Sequence, residues 1–212
     1  PHFILSLLTD IANLSVLENA PKTNQMAVAL AQYLKYSLCT TGDNILLSDE
    51  LKQIESYFNM LKIKYEDAFT YSITAKKEID MLRIPSHILF PFLDRAASLI
   101  TVNTGHLDIA ISIFCENGYT TIDIVSDYNP DNEESNPASS FKNFPDNDTF
   151  RSLISNIRQR LYSIFGNNYE IKESYQSNSK IHDIIKLPIS HEERIMSVSY
   201  THLRAHETVL DL

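Results

Sequence analysis

Glycine is scarce in this chain of 212 residues, where it occurs at four positions. These positions are Gly42, Gly105, Gly118 and Gly166. Glycine allows a backbone to approach a phosphate group closely and to adopt positive φ without a steric cost. So few glycines leave little material for a glycine-rich phosphate-binding loop.

The sequence also lacks the usual signs of membrane-spanning, nucleic-acid-binding and metal-binding proteins. No run of about 18 apolar residues is present, so no membrane-spanning helix is predicted. The formal net charge is -9, and Lys and Arg are not gathered in a cluster, which argues against a nucleic-acid surface. The two cysteines, Cys39 and Cys115, have neither metal-binding nor redox spacing. We expect both to be small buried hydrophobic residues of a reducing compartment.

The first residues carry a helical apolar seam. Its members recur in alternating steps of three and four: Ile4, Leu7, Ile11 and Leu14. With Ile4 and Leu7 at heptad positions a and d, His2 falls at f, away from the seam and in water. Pro1 would remove a backbone donor and bend the helix beside His2. His2 is therefore a candidate reaction site, and the alternative is a surface histidine at a helix turn.

Two more apolar stripes follow, and we expect a break near Pro21 and a turn at residues 41–44 between helices. The first stripe comprises Met26, Leu30, Leu34 and Leu38. The second follows Ser48, a predicted N-cap, and comprises Leu51, Ile54, Phe58, Leu61 and Tyr65. Short loops between three such stripes predict a helical hairpin that buries its seam against a copy of itself. The alternative is that these stripes are ordinary core.

After residues 66–67 the pattern changes to mixed strands and helices. Alternation predicts a strand at residues 69–73, and Ser86 is a predicted cap for a helix from His87 to Ile100. Residues 107–113 and 122–125 are predicted as a hairpin around a turn at 116–118. We expect a long loop at 128–148, a helix from 150 to Phe165–Gly166, and strands at 169–175 and 181–187. These elements predict an α+β sandwich.

Residues 197–212 are expected not to be native. They resemble the in-frame translation of a transposase-type sequencing adapter, so His202 and His206 are not taken as a metal pair. The chain begins without methionine in a helical pattern, which predicts further sequence upstream.

Four segments occur in the order and spacing of one family: Pro1-His2-Phe3-Ile4, residues 30–38, residues 47–51 with Tyr57, and residues 84–96. Over about residues 1–190 the sequence resembles the catalytic core of LytS-like sensor histidine kinases. The resemblance implies a dimeric helical phosphoacceptor hairpin at residues 1–66. It also implies an ATPase domain of the Bergerat type at residues 67–190.

By this resemblance His2 is the phosphoacceptor, ATP and Mg²⁺ are the cofactors, and the phosphoryl group passes to an aspartate of a response regulator. The implied partners are a second copy or another kinase, and the receiver domain of that regulator. The resemblance places the chain in the cytoplasm, with a membrane anchor only through an upstream segment. The net charge of -9, and not the resemblance, argues against a nucleic-acid partner.

The phosphoacceptor and helix motifs depart from the family pattern. Leu5, Ser6 and Thr9 replace an aromatic residue and two asparagines. In the helix segment, Asp94 stands where the family has its acid–base glutamate and retains a carboxylate that could act as the base. Arg95 stands where the family has its magnesium-binding asparagine. A guanidinium has no lone pair for a cation, so no metal ligand is retained there, although it could contact phosphate.

The two nucleotide loops depart further. Asp127 matches the adenine-binding aspartate, but both glycines that follow it in the family are replaced. In the second loop Asn156 and Arg158 keep the pattern, while two more glycines are lost. Side chains at those positions obstruct a close backbone approach to phosphates. The resemblance therefore predicts a degenerate nucleotide site of Arg95, Asp127, Asn156 and Arg158.

Three functions stay open from the sequence. The preferred one is a degenerate kinase, or pseudokinase, that keeps the dimer and His2. It would work by pairing with an active kinase, by receiving phosphate in trans, or by holding a response regulator. The second is an active kinase that tolerates the altered site, with Asp94 as base. The third is a structural dimer in which His2 has no role.

Overall fold

The fold comes from a computed structural model, which describes residues 2–39, 44–75, 82–102, 105–130, 147–175 and 180–189. The expected bend at Pro1, the turn at residues 41–43, residues 131–146 of the expected loop and the tail at 197–212 lie outside them.

Five α-helices are described. They are α1 (His2–Leu17), α2 (Pro21–Cys39), α3 (Leu47–Tyr65), α4 (Phe90–Val102) and α5 (Asn147–Phe165). A short 3₁₀ helix, Glu66–Ala68, follows α3. The break at Pro21 is confirmed, since proline at a helix start lacks only an N–H that would have no partner there.

Seven strands are described: β1 (Asn44–Leu46), β2 (Phe69–Ala75), β3 (Arg83–Pro85), β4 (Gly105–Glu116), β5 (Tyr119–Pro130), β6 (Glu170–Tyr175) and β7 (Lys180–Pro188). Five of them form one sheet in the order β2-β4-β5-β7-β6. β2 and β4 are parallel, with Phe69 opposite Leu107, and the other neighbours are antiparallel. The α+β fold class is confirmed.

The hairpin of β4 and β5 confirms the predicted turn. Asn117 and Gly118 both have positive φ, 52° and 82°, as a two-residue turn of type I′ requires. The strands are longer than predicted, because pairing continues from Glu116 opposite Tyr119 to Gly105 opposite Pro130.

Some element boundaries were wrong. α3 begins at Leu47, so Ser48 lies in its first turn and is not the N-cap, which is Leu46. α4 begins at Phe90 and not at His87. Tyr128 belongs to β5 and not to a loop. The two-stranded sheet of β1 and β3 was not predicted, because three-residue strands are too short for a periodic signal.

The five-stranded sheet has a buried inner face and a more exposed outer face. Along β7 every second residue is buried, from Ile181 to Leu187. The inner face packs against α3, α4 and α5 in one hydrophobic core. Cys115 is half-buried rather than fully buried. The side chain of Cys39 is not among those that the structure describes.

Helix α3 belongs to the same core as the sheet. Ile54 and Phe58 are almost fully buried, and the Phe58 ring lies 5.4 Å from that of Phe69, measured between centroids. The expected division at residue 66 stays a prediction, and α3 packs with elements on both sides of it.

The apolar seam of α1 is exposed in the single chain. Ile4, Leu7, Ile11 and Leu14 are between 44% and 56% exposed. α1 packs against α2 through a neighbouring stripe, with Leu8, Ala12 and Ser15 buried. A bond of 2.9 Å from Asn24 Nδ2 to the Ala12 carbonyl oxygen also joins the two helices. The seam that the heptads predict is thus left available to a partner.

Gly166 ends α5 in the left-handed region, at φ 60°, as the predicted C-cap requires. A Cβ added there would meet no atom within 4 Å, so in the folded protein a substitution adds backbone strain without a steric clash. We expect Gly166→Ala to lower the free energy of unfolding by about 1 kcal/mol, and Gly166→Asn to lower it less. Urea denaturation of both variants measures the difference. Equal losses would contradict the backbone explanation.

Candidate functional site

His2 is the first residue of α1, and its side chain is exposed. At about 100° per residue it lies roughly opposite the exposed seam of Ile4 and Leu7. It also avoids the stripe that packs against α2. The structure therefore leaves this imidazole open to a partner, as the heptad assignment predicted.

Asp94 lies on α4 with an exposed side chain. The hydroxyl of Tyr57, on α3, donates a hydrogen bond of 3.1 Å to its Oδ1. Burial, and then the negative charge of Asp94, raise the pKa of Tyr57. The phenol therefore stays protonated and remains a donor at neutral pH.

Arg95 is the centre of a buried ion-pair cluster. Its Nη2 lies 2.7 and 2.6 Å from the two carboxylate oxygens of Asp183 on β7. Its Nη1 donates a hydrogen bond of 3.1 Å to Oε2 of Glu173 on β6. The guanidinium carbon lies 4.1 Å from the centroid of the Phe150 ring on α5. One side chain thus joins α4 to two strands and a second helix.

Both members of the central pair are removed from water, since the side chains of Arg95 and Asp183 are 7% and 2% exposed. Burial raises the pKa of Asp183 to about 6, although Arg95 opposes the shift. The carboxylate therefore depends on the guanidinium for its ionised form at neutral pH. A guanidinium used in this way does not fit a magnesium ligand.

Asp127 lies on the outer face of the sheet. Its neighbours Ser126 and Tyr128 are buried on the inner face, and side chains alternate along a strand. Its Oδ2 pairs with Nζ of Lys180 at 2.8 Å, with both side chains partly exposed. Asp127 is therefore separated by the sheet from α4, which carries Asp94 and Arg95.

Asn156 and Arg158 are exposed on α5. Nη2 of Arg158 contacts the Ile171 carbonyl oxygen at 3.4 Å. The Tyr169 hydroxyl donates a hydrogen bond of 3.0 Å to the Arg158 carbonyl oxygen. Asp127 and Arg95 thus lie on opposite faces of the sheet. Within the described ranges, no three His, Cys, Asp or Glu side chains lie close enough together to hold a metal ion.

Sequence reasoning missed the role of Glu50, which is 1% exposed. Its carboxylate accepts the backbone N–H groups of His87 at 2.8 Å and Leu89 at 3.2 Å. It thereby holds the loop that leads into α4, and burial raises its pKa. Arg160 holds the same loop by donating to the carbonyl oxygen and Oγ of Ser86, at 2.8 and 3.2 Å. The signal was present, because Glu50 lies in the family-like segment 47–51.

His87 in this loop makes stability depend on pH. Burial, and then Arg160, lower its pKa below 6.5, so folding favours the neutral ring. Its contribution is present above about pH 6.5 and is lost as the pH falls towards the lowered pKa. Asparagine tolerates the positive φ of 60° at this position. We expect His87→Asn to lose less stability than the wild type when the pH falls from about 7.5 to about 5.5. Both proteins keep Glu50, so the difference between their unfolding free energies reports on His87 alone. Parallel pH profiles of the two proteins would show that His87 is not the source of the pH dependence.

Residues 1–69 match the family model for histidine kinase. The sensor protein kinase HptS of Staphylococcus aureus, in strains USA300 and NCTC 8325 / PS 47, is 32% identical over 114 residues. The resemblance to sensor histidine kinases is confirmed. The match covers 53% of this chain and 21% of HptS, so the chain spans about a fifth of the length of these curated relatives.

Two solved histidine kinase structures are also similar. The catalytic domain of histidine kinase ThkA has a TM-score of 0.45 and 16% identity, covering 71% of this chain and 97% of that one. The Acinetobacter baumannii histidine kinase AdeS has a TM-score of 0.47 and 11% identity, covering 89% of this chain and 96% of its own. In the part of this kinase-like chain that the structure describes, no helix is long and apolar enough to cross a bilayer.

Proposed function

We propose that this chain is part of a two-component sensor histidine kinase that keeps the phosphoacceptor histidine and has lost normal ATP binding. The observation that carries the proposal is the state of Arg95. This side chain stands at the family's magnesium-binding position, and its guanidinium is held by Asp183 and Glu173. The separation of Asp127 from α4 by the sheet supports the same conclusion.

The phosphoacceptor half of the proposal is supported by His2. The imidazole is exposed and points away from both the α2 contact and the apolar seam. In the proposed role it receives a phosphoryl group in trans from an active kinase and passes it to the receiver domain of a response regulator. The chain would then act as the cytoplasmic part of a membrane-anchored protein.

Nucleotide titration tests the first half. The protein is titrated with a fluorescent ATP analogue, with and without Mg²⁺, and an active histidine kinase serves as positive control. We expect no saturation up to millimolar nucleotide. Magnesium-dependent binding in the micromolar range would overturn the loss of ATP binding and favour an active kinase with Asp94 as base.

Phosphate transfer tests the second half. The chain is mixed with an active kinase of the same family and labelled ATP, and the wild type is compared with His2→Gln. We expect acid-labile label on the wild type alone. Label on neither protein would remove the phosphoacceptor role and leave a binding function.

A second candidate is a non-catalytic module that pairs with an active kinase or holds a response regulator. The exposed apolar seam of α1 favours it, because such seams normally pack against another helix. The double variant Leu7→Glu with Leu14→Glu charges the seam. Ser6→Glu with Asn13→Glu is the matched control, with the same spacing on exposed polar positions of the same helix. Light scattering should show loss of self-association or pairing in the first variant alone.

A further inference from the structure

Tyr57 belongs to the family-like part of α3 and has no role in the function proposed above. It lies seven residues after Glu50, so both project from the same face of the helix. Glu50 binds the loop that begins α4, as described above. Tyr57 contacts the same helix one turn further on, so α3 holds α4 at two points.

The second point combines a polar and an aromatic contact. The hydroxyl of Tyr57 donates to Oδ1 of Asp94 at 3.1 Å. Its ring meets that of Phe90 edge to face, with centroids 4.9 Å apart. Phe90 and Asp94 are four residues apart and share one face of α4. Because the Tyr57 hydroxyl binds Oδ1, it restricts the side-chain rotamer of Asp94. The Oδ2 atom does not share this hydrogen bond.

Helix α2 reaches the same point through Tyr33. The centroid of its ring lies 6.2 Å from that of Tyr57 and 6.1 Å from that of Phe90. Burial, followed by the charges of Asp94 and Glu50, raises the pKa of Tyr33. The hairpin of α1 and α2 is thus in direct contact with the pair that orients Asp94.

We propose that Tyr57 is a positioning residue that holds the carboxylate of Asp94 in one orientation and makes that orientation depend on the α1–α2 hairpin through Tyr33. A displacement of α2 that withdraws Tyr33 removes one wall of the site in which Tyr57 lies. The hydroxyl then loses its fixed direction towards Asp94. This device does not rest on the proposed function, because it needs neither ATP nor a phosphorylated His2.

The test compares Tyr57→Phe with Tyr162→Phe in the whole chain. Tyr162 is an exposed tyrosine on α5, and each substitution removes one hydroxyl and keeps the ring. Side-chain coupling constants of Asp94, measured by NMR, report its χ1 rotamers. We expect one rotamer in the wild type and the control, and averaging between rotamers in Tyr57→Phe. Amide exchange at residues 90–94 should accelerate about fivefold in Tyr57→Phe, with α5 unchanged.

Tyr33→Leu tests the link to the hairpin and keeps the Tyr57 hydroxyl. We expect this variant also to average the Asp94 rotamers. A single unchanged rotamer in Tyr57→Phe would overturn the positioning role. Averaging in Tyr57→Phe but not in Tyr33→Leu would overturn the dependence on the hairpin. A general loss of stability, by contrast, would accelerate exchange in α5 as well.

Discussion

Replacing Arg95 with alanine is expected to lower the free energy of unfolding by about 3–5 kcal/mol. The substitution removes the cation that is ion-paired with Asp183, and Asp183 is buried on β7. The carboxyl group must then stay ionised in the core or take up a proton, and each alternative costs free energy. The packing of the guanidinium on Phe150 is lost as well. Urea denaturation near neutral pH measures the change.

Two further variants separate charge from packing in this cluster. Arg151→Ala is the control, because Arg151 is exposed and its Nη1 lies 3.9 Å from Oδ1 of the fully exposed Asp148. We expect it to change stability by less than about 0.5 kcal/mol. The double variant Arg95→Met with Asp183→Leu should recover most of the loss, because apolar residues can replace a buried ion pair. The Nε of Arg95 is itself buried without a hydrogen-bond partner among the described residues, which favours that recovery. A double variant as unstable as Arg95→Ala would contradict this explanation.

Replacing Phe58 with alanine is expected to cost about 3–5 kcal/mol. The ring is fully buried and contacts the rings of Phe69 and Tyr71, at centroid distances of 5.4 and 4.6 Å. Its loss leaves a cavity between α3 and β2 that neighbouring side chains fill only in part. Denaturation of Tyr162→Ala, an exposed aromatic on α5, is the control and should differ little from the wild type.

The same contact predicts where the chain divides into independent units. A fragment of residues 67–190 lacks Ile54 and Phe58 and exposes the inner-face residues that α3 covers. We expect it not to unfold cooperatively, whereas a fragment of residues 44–190 should do so. Equal stability of both fragments would show that the division at residue 66 is a real boundary and that α3 is dispensable for the core.

Local signals were enough to predict most of the elements. The stripe of α3, the alternation of β2 and β7 and the Asn117–Gly118 turn each follow from a short sequence, because burial on one face imposes a period. The position of His2 opposite the seam follows from the same reasoning. The start of α4 could not be predicted in this way. The loop before it is held by Glu50, which lies 37 residues earlier in the chain than His87.

The family resemblance, the α+β class and the chemical character of each candidate residue follow from the order of the amino acids alone, because they depend on composition, period and the order of motifs. How those residues are used depends on the folded arrangement. It paired Arg95 with Asp183, separated Asp127 from α4, and brought Tyr57 to Asp94. Each of these outcomes depends on strand register and helix packing between segments distant in the chain. Local periodicity carries no information about such contacts, since it specifies which face of an element is buried and not what lies against it.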